Sequence, residues 1–477
     1  MIPSQSLYNI IFQGIDDIIV WNILRDKVQI INRNSPLYKF YDHGNNCMAA
    51  RQEVIGDDEI GLILMQKSLG FLKDVSLDEQ KQAELKLLNK RISDSLSIVL
   101  TTTFSCNFGC SYCCQGTDKE SGVFDKSTIQ KVISLWQESK KQHLSIVWYG
   151  GEPLLASNKI ISASKEIKES IISHGGNYKA ELYTNGYLLS PKVVTSLYHS
   201  GISKYQISLD GCKSNHDRSR AHLSGKGTYD KIFENIREVN DLDLPIQVVV
   251  RINIDSDNAD IEALINDLLQ QQANQLLKTR FYLAPIENRM GTTQDNIQDK
   301  ELISRKSFAE KYIVFLQICR KHSINYFIPD FTYGTCTATR KDSFVLAPNG
   351  DMHKCWDTVA LPSESYGNLN NIEDDYGVTK ENARKWLNFS AKTHHKCRSC
   401  KLLPICGGSC AVKHFTQSEN DVKEYFHKAC PPNKFLLKEY ICDRINRSQQ
   451  PMSALSSKHY QDIPLQELSI QNDVHNI

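Results

Sequence analysis

The sequence predicts an α/β protein built around a partial barrel of six strand–helix units, with a small α+β domain before it and a Cys-rich domain after it. Between residues 96 and 322, apolar strand-like runs alternate with helical stretches, the pattern of parallel strands joined by right-handed crossovers. Six units are too few for a closed eight-stranded barrel. Beyond residue 330 long periodic segments stop and Cys becomes frequent, so a metal-supported domain is expected there.

Composition narrows the class of protein. The chain has 477 residues and a formal net charge of +1, so electrostatics predict no nucleic-acid partner and no membrane-surface partner. No run of eighteen apolar residues and no secretory signal are apparent, so we expect a cytoplasmic enzyme. Because the cytoplasm is reducing, 15 Cys indicate metal or redox chemistry rather than disulfides.

Residues 1–94 form the predicted N-terminal α+β domain. Strand-like runs at Tyr8–Gln13, Ile18–Asn22 and Lys27–Ile31 are separated by polar turns, and a helical stretch follows near Asp57–Leu69. Two interpretations remain open at this point, a packing domain and a module that recognises a peptide.

Residues 95–325 form the predicted core. The predicted strands are Leu96–Thr102, Leu144–Trp148, Ala180–Tyr183, Lys204–Ser208, Gln247–Ile252 and Arg280–Leu283. The predicted helices are Lys126–Lys141, Lys159–His174, Pro191–Ser200, Tyr229–Asn240, Ile261–Leu268 and Phe308–His322. Residues 331–432 form the Cys-rich domain, and residues 447–477 are polar and predicted to be a mobile tail.

The first Cys cluster directly follows the first core strand. Cys106, Cys110 and Cys113 have the spacing C-x3-C-x2-C, and three thiolates on one loop can hold three irons of a [4Fe–4S] cluster. The fourth iron is then open to another ligand. The alternative is a zinc site, but structural zinc prefers four protein ligands and no fourth ligand is obvious on this loop.

This motif, after the first strand of a partial barrel, resembles the radical S-adenosylmethionine (SAM) superfamily. The resemblance implies that SAM chelates the open iron and is cleaved by one electron to a 5′-deoxyadenosyl radical. Gly150-Gly151-Glu152 resembles the motif that holds the SAM amine, and Arg220, with Arg218 second, is implied as the partner of its carboxylate. The other implied contacts, all but one at strand ends, are Tyr112, Thr184, Asn185, Ser208, Asp210 and Leu283.

A second Cys set, between residues 336 and 430, resembles the SPASM domain, which carries two auxiliary [4Fe–4S] clusters. The alternative is a zinc ribbon. The resemblance assigns one cluster to Cys397, Cys400, Cys406 and Cys430, and the other to Cys336, Cys355 and Cys410. The latter lacks an evident fourth ligand, although Cys319 is a candidate. Asp357 is implied as a proton acceptor. No role is assigned to Cys47, Cys114, Cys212 and Cys442.

The resemblance implies three [4Fe–4S] clusters, SAM, a peptide or protein substrate and an external donor of the flavodoxin or ferredoxin type. The first hypothesis is a maturase that installs a thioether, ether or C–C crosslink in a ribosomally made peptide. The 94 residues before the core favour it, because related maturases capture a leader peptide at a sheet edge. The second is an anaerobic sulfatase-maturing enzyme that forms formylglycine from Cys or Ser. A non-enzymatic iron–sulfur electron carrier would not need the SAM motifs.

Overall fold

The computed structural model describes fourteen stretches of the chain. They are residues 4–13, 17–35, 37–38, 41, 57–73, 78–110, 112–113, 115, 122–287, 302–331, 336–371, 380–393, 395–415 and 430–448. Cys47, Cys114 and residues 449–477 of the expected tail lie outside these stretches.

The N-terminal region combines short antiparallel strands with two helices. Its elements are β1 (Ser4–Gln5), β2 (Asn9–Gln13), β3 (Asp17–Asn22), β4 (Lys27–Asn32), α1 (Asp57–Leu69), β5 (Leu72–Lys73) and α2 (Glu79–Arg91). Strands β2, β3 and β4 form one antiparallel sheet in that order, while β1 pairs with β5. Trp21 of β3 packs against Tyr440 near the end of the chain, with ring centroids 5.7 Å apart. This region therefore packs onto the rest of the protein.

The core is a parallel sheet whose neighbouring strands are also neighbours in sequence. Its strands are β6 (Ser95–Thr101), β7 (His143–Tyr149), β8 (Asn177–Thr184), β9 (Ile202–Asp210), β10 (Gln247–Ile254) and β11 (Thr279–Pro285). Its helices are α3 (Lys126–Ser139), α4 (Ser157–Ser173), α5 (Pro191–His199), α6 (Lys213–Ser219), α7 (Tyr229–Asn240), α8 (Ile261–Gln270) and α9 (Arg305–Lys321). Each predicted strand and helix of the core is confirmed, with ends shifted by a few residues.

Local sequence explains where these elements form. Leu96, Ile98 and Leu100 of β6 are buried against the helices, as expected for a strand covered by a crossover. Asp125 caps α3 because its carboxylate accepts a hydrogen bond from the Thr128 backbone N–H at 2.8 Å. Asp260 caps α8 in the same way through Ala263, at 3.0 Å. Strands β6 to β11 run parallel to one another, so their carboxyl ends all lie at one edge of the sheet.

The Cys-rich region extends the core sheet instead of forming a separate layer. Its elements are β12 (Ser343–Leu346), β13 (Asp351–His353), β14 (Gly367–Asn368), α10 (Glu381–Leu387), α11 (His395–Arg398), α12 (Leu403–Cys406), α13 (Ala411–Phe415) and α14 (Leu437–Ser448). Strand β12 runs parallel to β6, with Ser343 opposite Ser97 and Leu346 opposite Leu100. A nine-stranded sheet results. The sequence did not predict this junction.

Two further observations complete the architecture. Helix α14 includes Arg447 and Ser448, the first two residues of the expected tail. Among the described helices, none combines the length and apolarity needed to cross a membrane.

Candidate active site

The loop carrying the first three Cys leaves the end of β6 and is tied to a second loop. Gly109 N–H donates to Ala221 C=O at 3.0 Å, and Leu223 N–H donates to Asn107 C=O at 2.9 Å. Burial raises the pKa of the Cys110 thiol to about 11, and the Cys106 and Cys113 thiolates add to this effect. The three sulfur atoms therefore share one neighbourhood.

A [4Fe–4S] cluster and a single metal ion place different demands on the three thiols of this loop. Within the described stretches, no three Cys, His, Asp or Glu side chains converge closely enough to bind one metal ion. In a [4Fe–4S] cluster each thiolate binds a different iron, so the thiolates need not converge on one point. Cys106, Cys110 and Cys113 are each partly exposed as residues.

Gly150 and Gly151 bring the end of β7 into direct contact with the Cys loop. A Cβ on Gly151 would stand 2.3 Å from the carbonyl oxygens of both Phe104 and Ser105. Gly150 has φ +142°, and a Cβ there would stand 2.4 Å from the Thr103 carbonyl oxygen. Only residues without a side chain allow this approach. The two glycines are therefore required by the backbone of the loop.

Glu152 is fully buried and joins the ends of two strands. Its carboxylate accepts hydrogen bonds from Thr184 Oγ1 at 2.6 Å, Asn185 N–H at 2.7 Å and Leu154 N–H at 3.0 Å. Burial raises the pKa of Glu152, and these hydrogen bonds oppose the rise. Donors of this chain thus engage the carboxylate, and the contact with the SAM amine that the resemblance implies stays a prediction.

Asn185 connects this network to the Cys loop. Its side-chain Nδ2 donates to Asn107 Oδ1 at 2.7 Å, and Asn107 directly follows Cys106. Glu152, Thr184 and Asn185 were each predicted to be site residues, and they lie together beside the loop.

A second network surrounds Asp210 at the end of β9. The Tyr112 hydroxyl donates to Asp210, 2.6 and 2.7 Å from its two carboxylate oxygens, and Ser219 Oγ donates at 2.7 Å. Arg220 Nη1 lies 3.1 Å from the Tyr112 hydroxyl. Burial opposes ionisation of Asp210, but Arg220, His216 and these hydrogen bonds lower its pKa. The negative charge of the buried Asp210 carboxylate thus compensates the positive charge of the buried Arg220 guanidinium.

Arg220 offers a test of whether an anionic ligand fits here. Its side chain is 12% exposed, and its Nε is buried without a hydrogen-bond partner among the residues that the structure describes. A buried guanidinium donor that lacks a partner in the protein suits a carboxylate ligand. Arg218, the second candidate, instead donates to Asn215 on an exposed surface. The residues present therefore fit a ligand carrying a carboxylate at Arg220.

The remaining predicted SAM contacts lie apart from this network. Ser208 lies two residues before Asp210 on β9, opposite Arg251. Leu283 is buried and opposite Ile252, so its side chain points to the other face of the sheet from Asn253. Ala284 is opposite Asn253 and shares its face.

Asn253 and Ser219 belong to the Asp210 network but were not predicted as site residues. Asn253 Nδ2 donates to Asp210 Oδ1 at 3.1 Å. A signal was available in the sequence, because Asn253 is the last residue but one of β10 and Asp210 is the last residue of β9, and the two are opposite each other. The sequence offers no comparable signal for Ser219.

The second Cys set falls into two neighbourhoods. Burial raises the pKa of Cys336 to about 11, and Cys410 adds to this effect. Burial also raises the pKa of Cys355, with contributions from Asp357, Cys336 and Cys410. Cys336, Cys355 and Cys410 therefore lie together, with Asp357 beside them.

The other neighbourhood contains four thiols. Burial raises the pKa of Cys406, and Cys400, Cys397 and Cys430 contribute to the rise. The structure thus brings the seven thiols together in the two sets that the resemblance implied. Cys319 is buried in the main apolar core, and Arg320 is the charged neighbour that affects its thiol.

The turn after Cys355 reaches the core strands. The Trp356 ring lies 5.8 Å from the ring of Tyr149 and 6.2 Å from that of Tyr183, near the ends of β7 and β8. Asp357 is 5% exposed. The turn therefore connects the neighbourhood of Cys336 with the edge of the sheet that carries the other networks.

Comparison with known proteins agrees with these features. Residues 100–268 match the family described as the radical SAM superfamily. The radical SAM cyclopropyl synthase TigE of Paramaledivibacter caminithermalis is 25% identical over 380 residues, covering 72% of this chain and 74% of that protein. The cysteine-type anaerobic sulfatase-maturating enzyme of Clostridium perfringens strain 13 is 23% identical over 371 residues, covering 70% and 96%.

Solved structures show the same fold. The structure of anSMEcpe with bound AdoMet has a TM-score of 0.54 and 17% identity, covering 74% of this chain and 98% of that one. Streptococcus suis SuiB bound to precursor peptide SuiA has a TM-score of 0.52 and 16% identity, covering 87% and 97%. The α/β fold with a large, mostly parallel sheet is thus shared with both. The chain therefore carries a radical SAM domain over residues 100–268 and is an enzyme of the oxidoreductase type.

Proposed function

We propose that this enzyme is a SPASM-type maturase that installs a thioether, ether or C–C crosslink in a ribosomally made peptide. The observation that carries the proposal is the pairing of β12 with β6, which joins the two additional thiol neighbourhoods to the radical SAM core in one sheet. An electron carrier would not need the Arg220 and Glu152 networks beside the first Cys loop.

In this proposal the first Cys loop holds a [4Fe–4S] cluster through Cys106, Cys110 and Cys113. With SAM bound, the cluster supplies an electron for reductive cleavage, from an external flavodoxin- or ferredoxin-type donor. Arg220 orients the SAM carboxylate through its partnerless Nε, and the Asp210 carboxylate fixes Arg220 through Tyr112. Glu152 holds the strand ends against the loop, and Ser208 and Leu283 remain proposed SAM contacts.

The two additional neighbourhoods are proposed to hold auxiliary [4Fe–4S] clusters. One uses Cys397, Cys400, Cys406 and Cys430, and the other uses Cys336, Cys355 and Cys410. Asp357 is the proposed proton acceptor, and its place beside Cys336 and Cys355 puts it within reach of the second of these clusters. We propose a cytoplasmic location, where thiols stay reduced.

The N-terminal region is proposed to capture a leader peptide. Among the described residues, β4 pairs with β3 alone and leaves one edge open, with Ile30 46% exposed. An open edge can accept a peptide as an added strand. The SuiB structure contains a precursor peptide, which supports a peptide substrate for this related fold.

The second candidate is an anaerobic sulfatase-maturing enzyme. It is favoured by the sulfatase-maturating relative, of which this chain covers 96%. That alternative predicts turnover of a sulfatase peptide bearing Cys or Ser, with no need for the β4 edge.

The cluster assignment is tested by iron content. The reconstituted enzyme should hold about 12 irons, and replacing Cys106, Cys110 and Cys113 together by Ala should remove about 4. The triple variant should no longer release 5′-deoxyadenosine. Release at the normal rate would refute the assignment of the first loop.

The auxiliary clusters are tested by replacing Cys397 and Cys400 with Ala. We expect loss of peptide product while SAM cleavage without peptide persists, because the first loop is untouched. The spectrum of the first cluster and the solubility of the variant serve as controls, since metal binding and folding are coupled. Full product formation would exclude these clusters from the mechanism.

The choice between the two candidates is tested at β4. Ile30→Lys places a charge on the open edge, which disfavours strand addition. With a precursor encoded beside this gene, leader affinity measured by fluorescence anisotropy should fall at least tenfold. Ile172→Lys, at a similarly exposed site on α4, is the matched control. Equal affinity in both variants would favour the sulfatase-maturing candidate.

A further inference from the structure

Arg91, the last residue of α2, reaches from the N-terminal region into the Cys-rich region. Its Nη1 donates to Leu387 C=O at 3.2 Å, and its Nη2 donates to Phe389 C=O at 2.7 Å. These partners lie almost 300 residues away in sequence, at the end of α10 and just beyond it. Two hydrogen bonds from one planar guanidinium fix both its position and its orientation.

The third nitrogen of this guanidinium has no partner in the described part of the chain. Arg91 Nε is buried, and no described residue accepts a hydrogen bond from it. A buried donor without a partner costs about 1–3 kcal/mol, so it calls for an explanation such as a bound group. The two carbonyl contacts leave Arg91 no freedom to turn Nε toward solvent.

Cys336 is the ionisable group that acts on the Arg91 guanidinium. Burial lowers the pKa of Arg91, and Cys336 acts in the opposite direction. One turn earlier on α2, Leu87 packs in the apolar cluster that contains Cys336, Cys355 and Cys410. The end of α2 therefore forms part of the wall around this thiol neighbourhood.

We propose that Arg91 is a positioning residue for the iron–sulfur cluster held by Cys336, Cys355 and Cys410, donating its free Nε–H to a cluster or cysteine sulfur. The inference rests on the proposed auxiliary cluster. It assigns to α2, which lies in the proposed peptide-binding region, a direct contact with the redox site. Hydrogen bonds to sulfur and nearby positive charge both favour the reduced state of a cluster.

The test is a redox titration of the anaerobically reconstituted enzyme, followed by electron paramagnetic resonance. Arg91→Gln removes the charge and the Nε donor, so one cluster potential should move to a more negative value while the others stay unchanged. Arg91→Lys keeps the charge, so it should produce a smaller shift in the same direction. Lys81→Gln makes the same charge change at an exposed site in the first turn of α2 and should produce none.

Each outcome bears on a separate part of the inference. If the intact enzyme shows iron for a single cluster, the proposed auxiliary clusters are wrong. If all clusters are present and Arg91→Gln matches Lys81→Gln in every potential, the role of Arg91 is refuted. If Arg91→Gln does not fold, Arg91→Lys decides, and an unshifted potential in that variant also refutes the role. Loss of about 4 irons from a folded Arg91→Gln supports it.

Discussion

The Tyr112 hydroxyl donates to Asp210, lying 2.6 and 2.7 Å from its two carboxylate oxygens, across 98 positions of sequence. Tyr112 stands between Cys110 and Cys113, while Asp210 ends β9. The contact thus fixes the loop proposed to carry the cluster against the carboxyl end of the sheet. Arg220 and Asn253 contact the same hydroxyl, so one oxygen atom contacts three other side chains.

Removing that hydroxyl should destabilise the enzyme. Tyr112→Phe deprives the buried Asp210 carboxylate of its short hydrogen bond, and the free energy of unfolding in urea should fall by about 1.5–3 kcal/mol. Tyr187→Phe is the matched control, because the Tyr187 ring lies 5.8 Å from Phe108 of the same loop and no described residue bonds its hydroxyl. Equal stability of the two variants would contradict this role of Tyr112.

A side chain at Gly151 should prevent cluster assembly. Gly151→Ala places a Cβ 2.3 Å from the Phe104 and Ser105 carbonyl oxygens, so the loop before Cys106 must move. Reconstituted iron should fall by about 4 atoms per chain. Gly122→Ala is the control, since a Cβ there meets nothing within 4 Å. Normal iron content in Gly151→Ala would show that the loop tolerates displacement.

The Glu152 carboxylate should be irreplaceable by an amide of the same shape. In Glu152→Gln, the NH₂ group must face a backbone N–H, that of Leu154 or that of Asn185, at a fully buried site. We expect a loss of about 1.5–3 kcal/mol in the free energy of unfolding. Glu169→Gln, on the surface of α4 with 66% of its side chain exposed, should change stability little. An unchanged free energy of unfolding in Glu152→Gln would show that the protein does not need both carboxylate oxygens as acceptors.

Buried His216 should make stability depend on pH. Burial, with the Arg220 charge, lowers the pKa of His216 to about 4, below the value near 6.5 of an unfolded His. Between these values the unfolded chain binds the extra proton, so stability falls as the pH falls from about 6.5 towards 4.

Between pH 7.5 and pH 5, His216 alone should lower the free energy of unfolding, measured in urea, by about 2 kcal/mol. His216→Gln should remove this part of the pH dependence of the free energy of unfolding. The pH dependence that comes from other groups should remain, including that of His353, whose burial lowers its pKa to about 4. An unchanged slope in the variant would exclude His216 as a source of pH dependence.

Local pattern was sufficient to predict the order of the core elements, because strand and helix periodicities are written in neighbouring residues. Long-range pairing was not predictable. The four residues of β12 carry no signal that they align with β6, because register between distant strands depends on the assembled sheet. Arg91 was missed for a similar reason, since its partners at Leu387 and Phe389 are backbone carbonyls.

Glu152 shows a different limit of sequence reasoning. A motif identifies the residue but does not say which groups its carboxylate meets, and here Thr184 and Asn185 occupy it. For the thiols, it was the resemblance to the SPASM domain, and not the spacing alone, that divided the Cys-rich region into two sets. Their iron content stays a prediction.

The pairing of β12 with β6 has a mechanical consequence. Strand β6 leads into the loop of Cys106, and β13 leads into Cys355. Because β12 pairs with both β6 and β13, the two Cys positions are attached to one continuous sheet. A hinge between them would require breaking interstrand hydrogen bonds in the interior of the sheet, which are among the last to open. If both sites hold the proposed clusters, we expect the distance between them to stay constant during turnover. Control over electron flow would then come from what binds between the clusters rather than from movement of the sheet.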